Sequence, residues 1–236
     1  MSDPFFRPVA AGATGAASFD AGLRTHMQRV FNYMAGGLVA TGLVAYVVAN
    51  TALAGIIFGS PLRYLVMLGP LVFLFFLPGM NRYSLGQTKA LFWGFCAVMG
   101  LSLSTVFLVY SQASIARAFF ITSADFAAMS LYGYTTKRDL TAMGAFMMMG
   151  IFGLIIASVV NLFLMSSALQ WVVSVVGVLV FTGLTAYDVQ RIKQTYAESW
   201  GTEANDKLAI SGALSLYLDF INLFMSMLRL TGNSRN

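Results

Sequence analysis

The chain has 236 residues, of which 58% are hydrophobic and only 10% are charged, and its mean hydropathy is +0.75. A soluble globular domain carries roughly one quarter charged residues, so this composition excludes an ordinary soluble fold. The net charge of +5 comes from Lys and Arg that lie between hydrophobic blocks instead of forming one basic patch. We therefore expect a membrane protein whose surroundings are the lipid bilayer, and no nucleic-acid partner.

The hydrophobic residues occur in blocks of about 20, the length at which an α-helix crosses a hydrocarbon core of ~30 Å. The links between the blocks are short and contain turn-forming residues. The sequence accordingly predicts an all-α membrane protein, with a flexible cytoplasmic tail over 1–27 and a single seven-helix domain over 28–236. The predicted spans lie near 31–58, 62–80, 88–110, 114–133, 140–163, 168–190 and 208–230.

The distribution of basic residues predicts the topology. If the amino terminus is cytoplasmic, ten of the 14 Lys and Arg residues fall on the cytoplasmic side and four on the other side. Because cytoplasmic loops are enriched in Lys and Arg, this favours a cytoplasmic amino terminus and, for seven spans, a carboxyl terminus outside. An even number of spans would reverse the last segment, so this prediction depends on the count.

The last predicted span carries an acid, Asp219, close to its middle. At 100° per residue, the polar side chains of this span spread over only ~80° of the helix circumference. They are Ser211, Ser215, Asp219, Asn222 and Ser226. A charge at the bilayer centre costs at least ~3 kcal/mol on insertion scales, so Asp219 should face protein or a water-filled cavity. The alternative is a neutral Asp219 that hydrogen-bonds within a helix interface.

The candidate partner of Asp219 is Asp188, because Thr182, Thr185 and Asp188 form a polar line toward the cytoplasmic end of the sixth span. Two carboxylates in contact cannot both ionise cheaply, so one shared proton would hold the two helices together. Loss of that proton would replace the hydrogen bond by repulsion. It would also leave hard oxygen ligands that suit a divalent cation such as calcium.

Two considerations stand against this pairing. Asp188 lies about nine residues, or ~13 Å, past the centre of an ideal sixth span, so the pair requires a tilted or extended helix or a cytoplasmic vestibule. In addition, Asp188 could instead pair with Arg191 or Lys193 on its own helix. The sequence leaves both questions open.

Four segments of the chain resemble the bacterial branch of the transmembrane Bax inhibitor motif family. They are "MQRVFNYMAGGL", "SLYGYTTKRDL", "FTGLTAYDVQRIK" and "ALSLYLDFINLFMSMLRL". The resemblance covers nearly all of the chain and implies six helices that surround a central last helix. It also implies a pH-sensitive calcium leak gated by two aspartates, which match Asp188 and Asp219. Some members of the family have an arginine that pairs with these acids in a closed state, and the nearest match is Arg82. A positive-inside anchor is the alternative role for Arg82.

Other polar residues are candidates for the lining of the same cavity. Asp125, near the middle of the fourth span, either lines this cavity or accepts hydrogen bonds from Ser123 or Thr122. The remaining candidates for lining the pore are Thr185, Ser215 and Asn222.

The leading hypothesis is a pH-sensitive, calcium-permeable leak channel of the bacterial inner membrane. Asp188 and Asp219 would sense pH, gate the channel and bind calcium transiently, and no cofactor is expected apart from calcium as the permeant ion. The hypothesis of a pH-sensitive calcium channel depends on both the polar stripe around Asp219 and the family resemblance.

Two other functions compete with it. Relatives in the family have been proposed to modulate a membrane protease or a cell-survival factor without catalysis. An intramembrane aspartyl protease also needs two acids on neighbouring helices, but it usually carries Gly-x-Gly-Asp, whereas this chain has Leu-Tyr-Leu-Asp before and at Asp219. The Pro-Ala-Leu sequence expected of such an enzyme is also missing. We therefore expect that the protein is not an enzyme.

Overall fold

The structure, a computed structural model, describes residues 11–76, 82–196 and 201–233, without the side chains of 11–20, 74 and 76. The described residues form eight α-helices and no β-strand. The helices are α1 Ala11–Ala49, α2 Leu53–Phe58, α3 Leu62–Phe76, α4 Leu85–Val109, α5 Gln112–Thr135, α6 Thr141–Leu164, α7 Ser167–Thr195 and α8 Gly201–Thr231.

The first predicted span, 31–58, is divided in the structure. Helix α1 ends at Ala49, and the six-residue helix α2 begins at Leu53. Polar side chains after the end of α1 bond its last carbonyl groups, because Asn50 Nδ2 donates to the Tyr46 oxygen at 2.8 Å and Thr51 Oγ1 donates to the Val48 oxygen at 3.3 Å. These bonds satisfy carbonyls that a helix end leaves without partners. The prediction of one continuous helix was therefore wrong.

Helix α1 also begins much earlier than the sequence predicted. The segment 11–27 is helical, although it belongs to the predicted flexible tail over 1–27. Leu23, Met27, Val30 and Met34 recur at spacings of three and four residues, and all four are buried. Such spacing places them on one face of the helix, so this part of α1 is held by packing. Residues 1–10 lie outside the described part of the chain.

Five of the described helices are long and apolar enough to cross a membrane: α1 over Ala21–Ala49, α4, α6, α7 and α8. Helix α3 is shorter and apolar over Leu62–Phe73, and it contains Pro70. Helix α5 has 24 residues but carries Arg117 and Asp125. Helices α3 and α5 would complete the predicted seven spans. The sequence did not predict α2 as a separate eighth helix.

Helix α8 is the most enclosed of the long helices, and it packs against α1, α4, α5 and α7. Helix α3 packs mainly against α4, and α6 packs against α7. The expected ring of six helices around α8 is therefore incomplete in this structure. One side of α8 remains open between α6 and the rest of the bundle, and this side carries the exposed residue Asn222.

A buried hydrogen-bond chain fixes α8 to α1 and α4. Thr41 Oγ1 donates to the Cys96 carbonyl oxygen at 2.9 Å and lies 2.7 Å from the Tyr217 hydroxyl. Because a threonine hydroxyl has one proton, the Tyr217 hydroxyl is the donor to Thr41. The Tyr217 ring is fully buried and makes edge contacts with Phe92 and Phe95. This contact sets the rotation of α8 about its axis, and so the face on which Asp219 lies.

Candidate functional site

Helices α7 and α8 run antiparallel, and one close approach sets their register. A Cβ atom built on Gly212 would lie 3.0 Å from the Ile192 side chain, so Gly212 of α8 is level with Ile192 of α7. Asp188 is then about level with residue 216, and Asp219 lies ~4.5 Å further along the axis at 1.5 Å per residue. Side chains on a helix lean toward its amino terminus. In this antiparallel pair the two acids therefore lean toward each other.

The Asp188 and Asp219 carboxyl groups face each other closely enough to form a hydrogen bond when one of them carries a proton. Asp219 is buried with 6% of its surface exposed, and Asp188 is half-buried. Asp219 Oδ2 is buried and accepts no hydrogen bond from a donor group among the described residues. Ionised carboxylates only accept hydrogen bonds, so the contact requires a proton between the two groups. The geometry therefore suits a pair of acids that shares one proton.

The offset of the two acids is met by the length of the helices. The predicted spans ended at residue 190 and began at residue 208, whereas α7 continues to Thr195 and α8 begins at Gly201. An extended sixth span, one of the arrangements that the sequence offered to meet the offset, is therefore present. It places Asp188 well inside α7 and opposite α8.

Of the two alternative partners of Asp188 on its own helix, Lys193 bonds to another helix and Arg191 lies near Asp188. Lys193 Nζ donates to the Tyr134 carbonyl oxygen at 2.8 Å and lies 5.0 Å from the centroid of the Tyr134 ring, so Lys193 is directed toward α5. Arg191 interacts with Asp188 electrostatically. However, the ion pairs within 4 Å in the described ranges do not include Arg191. Asp188 therefore combines the Asp219 contact with an electrostatic interaction with the nearby Arg191 guanidinium group.

The acid pair lines a cavity of about 1050 Å³ between α6, α7 and α8. Helix α6 contributes a largely apolar wall, and α7 contributes Asp188 and Arg191. The polar stripe predicted on α8 faces this cavity, except for Ser211. The stripe residues in the lining are Ser215, Asp219, Asn222 and Ser226.

The polar residues of the stripe are bonded mainly to their own helix. Asn222 Nδ2 donates to the Leu218 carbonyl oxygen, and Ser226 Oγ donates to the Asn222 carbonyl oxygen, both at 2.8 Å. Thr185 is buried, donates to the Phe181 carbonyl oxygen at 2.8 Å, and does not line the cavity. The structure thus places Ser215 and Asn222 in the cavity lining with the acids and Thr185 outside this lining.

Two further candidates lie away from the acid pair. Asp125 accepts a hydrogen bond from Thr182 Oγ1 at 2.6 Å across the contact between α5 and α7, and it does not line the cavity. The expected donors Ser123 and Thr122 are not its partners. Arg82 is exposed beside the start of α4, outside the cavity lining, and no ion pair of Arg82 occurs among the described residues. The expected contact between Arg82 and the acids is therefore absent from this structure.

Residues 23–236 match the family described as "Inhibitor of apoptosis-promoting Bax1". The chain belongs to this family. The match includes all of α4 to α8 and therefore every residue that lines the cavity.

Bacterial relatives align with nearly the full length of this family member. An uncharacterized protein of Rickettsia prowazekii is 47% identical over 221 residues, which cover 93% of this chain and 94% of the relative. The inner membrane protein YbhL of Escherichia coli K12 is 44% identical over 220 residues, which cover 91% and 94%. An uncharacterized protein of Caulobacter vibrioides is 44% identical over 233 residues, which cover 92% of each chain.

Sequence reasoning missed Arg229, which lines the cavity of this Bax inhibitor family member. Arg229 follows Asn222 by seven residues, so it falls on nearly the same side of α8. Extension of the polar stripe by one turn would have included it. The fixed position of Tyr217 was also missed, because the Thr41 hydroxyl that accepts its proton lies 176 residues away in the sequence.

Proposed function

We propose that this chain is a pH-sensitive, calcium-permeable leak channel, closed by the proton that Asp188 and Asp219 share. The observation that carries the proposal is the carboxyl contact between α7 and α8 on the wall of a cavity. With the proton present, a hydrogen bond joins the two helices. Without it, two carboxylates face each other in a partly dry environment, and their repulsion separates the helices.

The same step creates a place for the ion. Ionised Asp188 and Asp219 supply carboxylate oxygens, and the side chains of Ser215 and Asn222 supply further oxygens along the cavity. Calcium prefers such ligands but takes six to eight of them in a tight site. Groups of three or more acidic, His or Cys side chains that could hold a metal do not occur among the described residues. Weak binding of this kind suits an ion that passes through rather than one that stays.

The proposal includes a location and an orientation. A relative is named as an inner membrane protein, and we infer the same membrane for this chain. Seven crossings, with α3 and α5 included, put the amino terminus in the cytoplasm and the carboxyl terminus outside. The excess of basic residues on the proposed cytoplasmic side supports this orientation.

The test is calcium flux into liposomes that contain the purified protein and a trapped calcium indicator, over a series of pH values. In Asp188→Asn and Asp219→Asn, the new amide can still hydrogen-bond to the remaining acid. The amide is neutral, so two negative charges can no longer face each other. We expect flux through the wild type to rise with pH and flux through either variant to stay at the low-pH level.

Asp139→Asn is the matched control, because Asp139 is an exposed acid in the link between α5 and α6 and lies outside the cavity. It removes the same charge, and its flux should follow the wild type. Wild-type pH dependence in Asp188→Asn and Asp219→Asn would refute the gating mechanism. Absence of calcium flux in the wild type at every pH would refute the channel itself.

A further inference from the structure

We propose that the part of the cavity between the acid pair and Arg229 binds one acyl chain of an anionic phospholipid, whose phosphate is held by Arg229. This lipid site goes beyond the proposed channel and does not depend on calcium passage. It follows from the open side of the cavity, its apolar walls and the cation at its end.

The cavity opens toward the membrane. Helix α6 packs on α7 and not closely on α8, so a gap separates α6 from α8 on the side that faces away from the bundle. Lining residues at this gap are exposed, with 53% of Ile155 and 50% of Val159 accessible, and Asn222 on the opposite wall is exposed as well. At membrane depth, a gap between two spanning helices meets hydrocarbon chains rather than bulk water.

The walls of this part of the cavity suit a hydrocarbon chain better than a column of water. Helix α6 presents Ile151, Leu154 and Ile155, and the other walls add Phe181 and Met225. A buried water needs two to four polar partners. The Asn222 amide and the Ser226 hydroxyl, which lie in this part of the cavity, already donate their hydrogen bonds to carbonyl groups of α8. The full cavity, at about 1050 Å³, is as large as the biggest ordinary small-molecule sites, which reach ~1000 Å³.

Arg229 provides the charge that selects the headgroup. It lies in the last turn of α8, ten residues or ~15 Å along the axis from Asp219. Its side chain is exposed, and it forms no ion pair among the described residues. A guanidinium group binds phosphate with two parallel hydrogen bonds. A cation at the end of a span lies at headgroup level, so a chain anchored there extends along the cavity toward the acids.

The test measures the lipid retained by full-length protein released from nanodiscs of phosphatidylglycerol or phosphatidylcholine, by native mass spectrometry. We expect the wild type to retain phosphatidylglycerol and Arg229→Gln to retain about fivefold less, the factor that corresponds to ~1 kcal/mol per basic residue at an anionic surface. Arg117→Gln is the matched control, because Arg117 is an exposed arginine of α5 outside the cavity lining.

A second pair of variants tests the acyl chain separately. Ile155→Trp fills the cavity with a ring, whereas Ile156→Trp adds the same ring to an exposed position of α6 outside the lining. We expect Ile155→Trp to lose retained lipid and Ile156→Trp to keep it. Equal retention by Arg229→Gln and Arg117→Gln, or equal retention of phosphatidylcholine by the wild type, would overturn the proposal. Loss in Arg229→Gln without loss in Ile155→Trp would also overturn it, since the headgroup would then bind without a chain in the cavity.

Discussion

The contact between α5 and α7 gives the sharpest stability prediction, through Gly133→Ala. A Cβ atom built on Gly133 would lie 2.2 Å from the Ala186 carbonyl oxygen and 2.9 Å from the Ala186 carbonyl carbon. Non-bonded carbon contacts are optimal near ~3.5–4.0 Å, so the oxygen would have to move by more than about 1 Å. Both helices must shift, because the atoms in conflict belong to the backbone and cannot rotate away.

The expected cost follows from two opposed effects. Overpacking of a tight interface costs ~1–3 kcal/mol, whereas Gly to Ala in a helix gains up to ~1 kcal/mol. The net loss for Gly133→Ala is then ~1–2 kcal/mol, which corresponds to a decrease in Tm of ~2–8 °C for a chain of this size. The displacement also reaches the acid pair, since Ala186 precedes Asp188 by two residues on α7.

The assay is thermal unfolding in detergent micelles, followed by the fraction of protein that elutes as a single species after heating. Gly153→Ala is the matched control, because Gly153 lies in helix α6 and a Cβ atom there meets nothing within 4 Å. Its Tm should stay the same or rise by a few degrees. A Gly133→Ala variant as stable as Gly153→Ala would show that α5 and α7 do not approach as closely as described.

Three further substitutions test other contacts by the same thermal assay. Tyr217→Phe removes the donor to Thr41 in the core and should cost ~1 kcal/mol, as for a typical buried hydrogen bond. Gln190→Ala removes the side chain that accepts from the Leu140 amide and should cost ~1–3 kcal/mol, since that amide loses its partner. Asp139 accepts hydrogen bonds from the Thr141 side chain and then its backbone, which lower the pKa of the Asp139 carboxyl below its usual value. Asp139→Ala should therefore lower the Tm at pH 7 but not at a pH below this carboxyl's folded pKa.

The linkage between proton binding and folding determines how the effect of Asp139→Ala changes with pH. A carboxyl whose pKa is lower in the folded chain stabilises the fold above its unfolded pKa, near ~4, and loses that contribution as pH falls through the folded value. A decrease in the Tm of Asp139→Ala that persists at the lowest pH would contradict this.

For Tyr217→Phe and Gln190→Ala the controls are Tyr46→Phe and Gln170→Ala, at exposed positions. If Tyr46→Phe lost as much stability as Tyr217→Phe, the hydrogen bond assigned to Tyr217 would be contradicted. The same holds for Gln170→Ala compared with Gln190→Ala.

The acid pair was predictable from sequence because helix geometry and the cost of charge in lipid act on the residues themselves. The spacing of the polar residues fixed one face of α8, and the insertion cost required that face to meet protein or water. The line from Thr182 to Asp188 supplied a second acid on the preceding span. The sequence required an offset to bring the two acids level, by a tilted or extended helix or by a cytoplasmic vestibule, and it did not indicate which of these the fold uses.

The features that sequence reasoning missed depend on which helices touch. Hydropathy is continuous across 31–58, so the break after Ala49 is visible only through the hydrogen bonds of Asn50 and Thr51. The partner of Asp125 is Thr182 because α5 and α7 pack together, whereas sequence reasoning considered only neighbours on the same helix. The gap between α6 and α8 has no local signature at all, since each helix alone is simply apolar enough to cross a membrane.

Helix α8 is attached on different faces by contacts of different chemistry, and this bears on how the flux experiment is interpreted. Tyr217 holds it to α1 and α4 through hydroxyl groups that do not titrate near neutral pH. Asp219 faces Asp188 of α7, and the proposed hydrogen bond between these two acids requires a shared proton. In the proposed mechanism, removal of that proton leaves α8 attached to α1 and α4, and we expect α7 and α6, which packs on α7, to take up the separation. Loss of the pH response in Asp219→Asn without a change in Tm would then show a loss of gating and not a loss of the fold.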